Sequence, residues 1–419
     1  MLCDIRDTCV CGGKDFTVCV GVKTLPLNYI VCISLTTIKP IDGHGRDRLE
    51  HRLWLEQQMR GWRKYTNMTM HESDVQPMKM SEVLALADDE LRSDWENLTL
   101  KYTETNGGTK LRTEIAKLYK GVDPNQVIVF AGADEAIWVF FTAMLKPSDH
   151  VVVLWPAYEA LYQLARLAGA EVTLVPLEAD GWRVDVDAVA KAMRPNTKFL
   201  VTNFPHNPTG STVDQATYKA LIELCHEKGV TFVGDEVYHL LEHKPEYRLP
   251  PAVDADETAV SFGVMSKAYA LSGLRIGWIT IKEPTLLKKL DEMNGLATPC
   301  KPAPSELLAT MALRSKDKVL ARSHRIIEDN MPLMEEFFED YGDHFKWVHP
   351  KGATVGFPEL IGMNVEKFTE EYAKQEHVMV WPGMIFNYPG NNFRISYGRT
   401  WVPEGLRRLK HFADRNLKP

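Results

Sequence analysis

The chain has 419 residues, 45% of them hydrophobic and 25% charged, which is enough for a large core and more than one domain. Its net charge of −7, with no basic stripe, argues against an extended phosphate-binding surface and so against a nucleic-acid partner. Of the seven cysteines, Cys3, Cys9, Cys11, Cys19 and Cys32 lie near the start and only Cys225 and Cys300 in the body. That odd, lopsided set points to a reducing, cytoplasmic setting; Cys9 and Cys11 have no second pair at metal-ligand spacing, so no metal site is expected.

In chain order, residues 1–35 read as an N-terminal extension, either disordered or peculiar to this chain. The apolar run from Phe16 to Leu35 is broken by Lys23, Pro26 and Asn28, so it is not expected to span a membrane, and Asp4 and Asp7 ahead of it do not suit a secretory signal. Residues 36–95 read as the N-terminal segment of a small domain. Within it Leu49, Leu53, Leu55, Met59 and Trp62 have loose helical spacing over Arg48 to Lys64, and a second helix is expected after a capping Ser81, with Glu82 in its first turn.

Residues 96–303 alternate short β-branched runs with helical segments, the pattern of a mainly parallel sheet wrapped by helices. Seven strands are expected, at Gln126–Phe130, Val151–Leu154, Val172–Val175, Phe199–Thr202, Thr231–Gly234, Val260–Gly263 and Ile276–Thr280. Ala136, Ile137, Phe140, Phe141 and Met144 fall at helical spacing, as do Tyr218, Leu221, Ile222 and Cys225. Residues 304–419 shift to charged helices over Glu306–Arg314 and Lys318–Tyr341, then short β-like stretches at Val378–Trp381 and Phe393–Tyr397, which reads as a smaller α+β domain.

The strongest chemical signal is Ser266-Lys267 just after a buried strand, with Arg275 eight residues beyond the lysine. A lysine there is costly unless it is neutralised or bonded, and burial lowers its pKa so that it can serve as a base. Arg275 offers a forked donor suited to a phosphate. Upstream, Asn207-Pro208-Thr209-Gly210 and Asp235-Glu236-Val237-Tyr238 each sit at or just past the end of an expected strand, where ligands of α/β sheets collect.

In this order the segments resemble the class I/II aminotransferases of pyridoxal-5'-phosphate (PLP) fold type I, over roughly Lys39 to Leu409. The resemblance implies Lys267 as the Schiff-base lysine and catalytic base, Asp235 at the pyridine nitrogen, Asn207 and Tyr238 at the phenolic oxygen, and Tyr158 stacked on the ring. It further implies that Gly132, Ala133 and Asp134 open a helix that seats the cofactor phosphate, with Ser266 and Arg275 beside it. Tyr102 matches a tyrosine reaching a neighbouring subunit, which implies a homodimer with a shared active site, and Arg394 matches the clamp on the substrate α-carboxylate.

Two positions depart from that pattern, both near the phosphate. Val264 stands three residues before the lysine, where the family usually has a serine, and Asp134 stands where a hydroxyl residue is frequent. Asp134 is therefore expected to cap the helix or to face a partner cation.

The cofactor residues do not select the reaction. The expected reaction is transfer of an amino group between an L-amino acid and a 2-oxo acid, the commonest activity of the fold. The segment His71-Glu72-Ser73-Asp74 falls where the family covers its active site, and its acids would suit a basic amino acid. Its wording resembles the branch containing capreomycidine synthases and arginine oxidases, so a cyclase, lyase or oxidase acting on an arginine derivative is the alternative, with Glu72 as the substrate contact.

Overall fold

The computed structural model describes residues 59–417 and, before them, the strands Thr17–Val22 and Tyr29–Ser34. The chain forms two compact units, Met1–Gly61 and Trp62–Pro419. In the first, the two strands pair antiparallel from Thr17 opposite Ser34 to Val22 opposite Tyr29. Of the helix expected over Arg48 to Lys64, residues 59–63 are helical and the rest lies outside the described residues.

The second unit is built on one seven-stranded sheet. Its strands are β1 (Val127–Phe130), β2 (His150–Trp155), β3 (Glu171–Pro176), β4 (Thr197–Asn203), β5 (Thr231–Asp235), β6 (Val260–Val264) and β7 (Gly277–Ile281), in the spatial order β1-β7-β6-β5-β4-β2-β3. All seven expected strands are present, each within two residues of its expected ends. The central strands read as largely apolar runs because both faces of the sheet are covered, while the edge strand β3 is only partly buried. On one face helix α1 (Ala133–Met144) sets Phe140 against Phe199 and Phe262, with ring centroids 5.1 and 5.4 Å apart.

Strand direction positions the site. The parallel neighbours β2, β4, β5 and β6 end along one edge, and β7 runs antiparallel to both β1 and β6. Gly277, at the start of β7, therefore lies opposite both Phe130 at the end of β1 and Val264 at the end of β6. The turn before β7 is thereby brought to the edge where the other strands finish, the usual ligand edge of an α/β sheet.

The C-terminal part contains helices Ala303–Arg314 and Lys316–Asp340, as expected, and a three-stranded sheet of Val355–Gly356, Phe393–Ser396 and Trp381–Pro382. Val378–Met379 pairs in parallel with Met68–Thr69, so the segment preceding the large sheet joins the segment that follows it. One local expectation is corrected. The helix at 80–84 begins at Met80, and Ser81 lies inside it rather than capping it. Glu82 instead accepts the backbone N–H of Lys79 at 2.6 Å, which moves the boundary two residues upstream.

Candidate active site

The carboxyl edge of the sheet opens into a cavity of about 360 Å³ lined by most of the residues singled out above. Asp235 ends β5 almost fully buried, and its burial pushes the carboxyl up to about 7, against the opposing pull of the Val237 N–H and of Lys267. Asn203, at the end of β4, braces this region: its Nδ2 donates to the Asp235 carbonyl at 2.8 Å, and its Oδ1 accepts the Asn207 N–H at 2.8 Å. Asn203 was not among the expected site residues; its signal in the sequence is a polar residue directly after the expected strand Phe199–Thr202.

Tyr238 is fully buried, and its hydroxyl has no hydrogen-bond partner among the described residues. A buried hydroxyl without a partner costs free energy, so it suits a site completed by a ligand oxygen. Lys267 Nζ lies 5.3 Å from the centre of the Tyr238 ring and donates to Ser73 Oγ at 2.7 Å.

At the other end of the cavity, Gly132 holds φ +98° ahead of α1, and a Cβ built there would stand 2.2 Å from Arg275 Nη2. Only glycine allows the guanidinium so close to the start of this helix. A Cβ on Gly277 would likewise meet the Gly132 carbonyl carbon at 2.7 Å, so the two backbones touch. Arg275 Nη1 donates to the Ser272 carbonyl at 3.2 Å and to Ser266 Oγ at 3.5 Å. Together the helix start and the guanidinium form an anion cradle, while Val264 presents an apolar side chain on the same wall.

Asp134 corrects an expectation. Among the described residues it makes no cap bond and no ion pair; its Oδ1 accepts the Tyr158 hydroxyl at 2.7 Å. Burial first, and then the Asp134 charge, raise the Tyr158 pKa, so the phenol stays protonated and donates.

Arg394 is buried on β-strand Phe393–Ser396, with its guanidinium 4.4 Å from the Trp381 ring centre. Nη1 donates to Asn207 Oδ1 at 2.9 Å and Nη2 to the His71 carbonyl at 2.5 Å. Burial draws its pKa down to about 10, which leaves it charged at neutral pH. The strap 71–74 closes this side. His71 stacks on Trp381 at 4.7 Å and is held neutral, burial and Arg394 lowering its pKa to about 3. Glu72 Oε1 accepts from Thr69 Oγ1, while its Oε2 is buried without a hydrogen-bond partner among the described residues. Tyr102 stands apart, 82% exposed and off the cavity wall.

This set of groups fits pyridoxal phosphate: a buried acid for a ring nitrogen, an unpartnered phenol and an amide for a ring oxygen, an amine, and an anion cradle at the far end. The comparisons agree. Residues 77–409 match the family "Aminotransferase class I and II". Among similar proteins are an aspartate aminotransferase of Pyrococcus horikoshii, 27% identical over 318 residues (71% of this chain, 78% of that one), and the arginine–pyruvate transaminase AruH of Pseudomonas aeruginosa, 35% identical over 186 residues (42% and 47%). The fold matches a PLP-dependent aminotransferase from Streptococcus suis with TM-score 0.81 and 24% identity, covering 87% of this chain and 98% of that one. The chain belongs to the class I and II aminotransferases, enzymes that use pyridoxal 5'-phosphate to move an amino group between an amino acid and a 2-oxo acid.

Proposed function

We propose that the amino donor is an L-amino acid with a cationic side chain. The observation that carries this is Glu72, a carboxylate on the cavity wall whose hydrogen-bond partner is the Thr69 hydroxyl and whose second oxygen has none among the described residues. Asp74, its neighbour on the strap, is already matched by Arg399 at 2.5 Å. The cavity's cationic residues have other proposed duties: Lys267 toward the cofactor, Arg275 toward the phosphate and Arg394 toward the α-carboxylate. A cationic substrate group would complete Glu72 and offset its desolvation. The name of AruH, an arginine–pyruvate transaminase, supports the same substrate class.

The proposed roles of individual residues are those that the family resemblance implies. Arg394, held by Asn207 Oδ1 and the His71 carbonyl, would turn its remaining N–H donors to the substrate carboxylate. Asp235 would stand beside the pyridine nitrogen, where a positive charge would favour its ionised form against the effect of burial. Asn207 and Tyr238 would bond the phenolic oxygen and Tyr158 would cover the ring, while Lys267 would take the proton from the substrate's α-carbon and deliver it to the cofactor carbon that receives the amino group. Bound pyridoxal phosphate supplies the electron-withdrawing ring that stabilises negative charge at that carbon. The chain is further proposed to work as a cytoplasmic homodimer. Supporting this are the exposed Tyr102 and Leu100, at 82% and 83%, and the free Cys225 and Cys300.

The test incubates purified enzyme with single L-amino acids, with and without a 2-oxo acid. Cationic donors should convert the cofactor to its pyridoxamine form most efficiently. Glu72→Gln should raise KM for them about 10- to 100-fold, the scale of a lost charge-assisted bond, and leave neutral donors within about twofold. An equal effect on all donors would refute the Glu72 contact. Oxygen consumption, or mass loss without an acceptor, would replace transamination by the oxidase or cyclase alternative.

A further inference from the structure

The amine of Lys267 is held by a hydroxyl that the roles above leave unused. Ser73 Oγ accepts from Lys267 Nζ at 2.7 Å, across 194 positions of sequence. Ser73 is not on a loose loop. Before it, Met70 N–H donates to the Met379 carbonyl and Ser396 N–H to the Met70 carbonyl, both at 2.8 Å; after it, Gln76 N–H donates to the Gly398 carbonyl at 2.7 Å. Between them, His71 stacks on Trp381 and gives its carbonyl to Arg394, and Asp74 pairs with Arg399 at 2.5 Å. The serine oxygen is thus placed by neighbours on both sides along the strap, and that strap also touches the arginine proposed to grip the substrate.

We propose that Ser73 is a positioning residue for Lys267. When the substrate occupies the cofactor, the lysine amine is free, on a flexible four-carbon stem with three rotatable donors. Acceptance of one N–H by Ser73 Oγ fixes the rotation about the Cε–Nζ bond and holds the nitrogen lone pair over the substrate's α-carbon. A hydroxyl suits this task because it orients the amine without adding a charge; a carboxylate in its place would favour the ammonium form and weaken the base. The same strap bonds Arg394 through His71, so the carboxylate grip and the proton carrier share one frame. The inference rests on Lys267 as the proton carrier.

The test compares wild type, Ser73→Ala and Ser73→Thr as holoenzymes, using any amino acid the wild type turns over. Ser73→Ala should slow the proton-transfer half-reaction up to about tenfold, the scale of one lost hydrogen bond between uncharged groups, with KM within about twofold. Its isotope effect on the α-deuterated substrate should exceed that of wild type, and Ser73→Thr, which keeps a hydroxyl, should recover most of the rate. A second reading needs no turnover. The cofactor-free Ser73→Ala protein should form its absorbing link to added pyridoxal phosphate several-fold more slowly, yet bind pyridoxamine phosphate, which forms no link, as wild type does. Unchanged rate and isotope effect in Ser73→Ala, or a Thr variant as slow as the Ala variant, would overturn the proposal. If the wild type itself formed no link, the assignment of Lys267 would fall, which is a different result from a wild type that links normally and a silent Ser73→Ala.

Discussion

Gly132→Ala tests the anion cradle by adding one methyl group. The new Cβ would lie 2.2 Å from Arg275 Nη2 and 2.9 Å from its Cζ, far inside van der Waals contact, and the backbone there holds φ +98° and ψ 173°, a region essentially confined to glycine. The guanidinium must move or the helix start must rotate, and either breaks the joint grip on the phosphate. Loss of one charge-assisted contact of about 1.5–3 kcal/mol corresponds to roughly 10- to 150-fold weaker cofactor binding. Equilibrium dialysis of pyridoxal phosphate measures it directly. The control is Gly273→Ala in the neighbouring turn, where an added Cβ meets nothing within 4 Å and affinity should stay within about twofold. Equal affinities for the two variants would mean that Gly132 and Arg275 do not hold the phosphate together.

Burial of Glu236 predicts a pH dependence of stability. Burial is the largest cause that raises its carboxyl, to about 8 from an ordinary 4.5, although the Ala252 N–H at 2.5 Å and Ser261 Oγ at 3.0 Å oppose it and Asp254 and Asp235 add to it. The folded protein keeps a proton that the unfolded chain has released, so stability is fully present below the unfolded value and falls as pH rises toward the folded one. The urea midpoint of the cofactor-free protein should drop between about pH 5.5 and about pH 8.5, and Glu236→Gln should flatten that drop; parallel curves would contradict it. At Tyr158, Phe keeps the ring and loses only the bond to the exposed Asp134, so cofactor affinity should fall less than about fivefold, whereas Ala removes the ring and should cost tenfold or more. Similar losses for both, by absorbance titration, would assign the contribution to the hydroxyl instead.

Much of the fold was legible because a parallel sheet covered on both faces writes its central strands as largely apolar runs, as at Val151–Leu154 and Phe199–Thr202. Asp235, Asn207 and Lys267 were legible for a related reason: each is a polar residue close behind such a run. What escaped depends on contacts that no local window contains. Ser73 meets Lys267 across 194 positions, and Asn203 gains its bracing role only when β4 lies beside β5. Asp134 looked like a cap because acids favour helix starts, but its carboxylate turns to Tyr158, a partner on a different strand's exit. Ser81 followed the same local rule, and the chain starts that helix two residues earlier.

The attachment of the cofactor to Lys267 can be read directly. Borohydride reduction of the holoenzyme, proteolysis and mass spectrometry would locate the attachment. A reduced pyridoxyl phosphate group is expected on the peptide containing Lys267 and none in Lys267→Ala. Label on another lysine, or label that persists in Lys267→Ala, would contradict it.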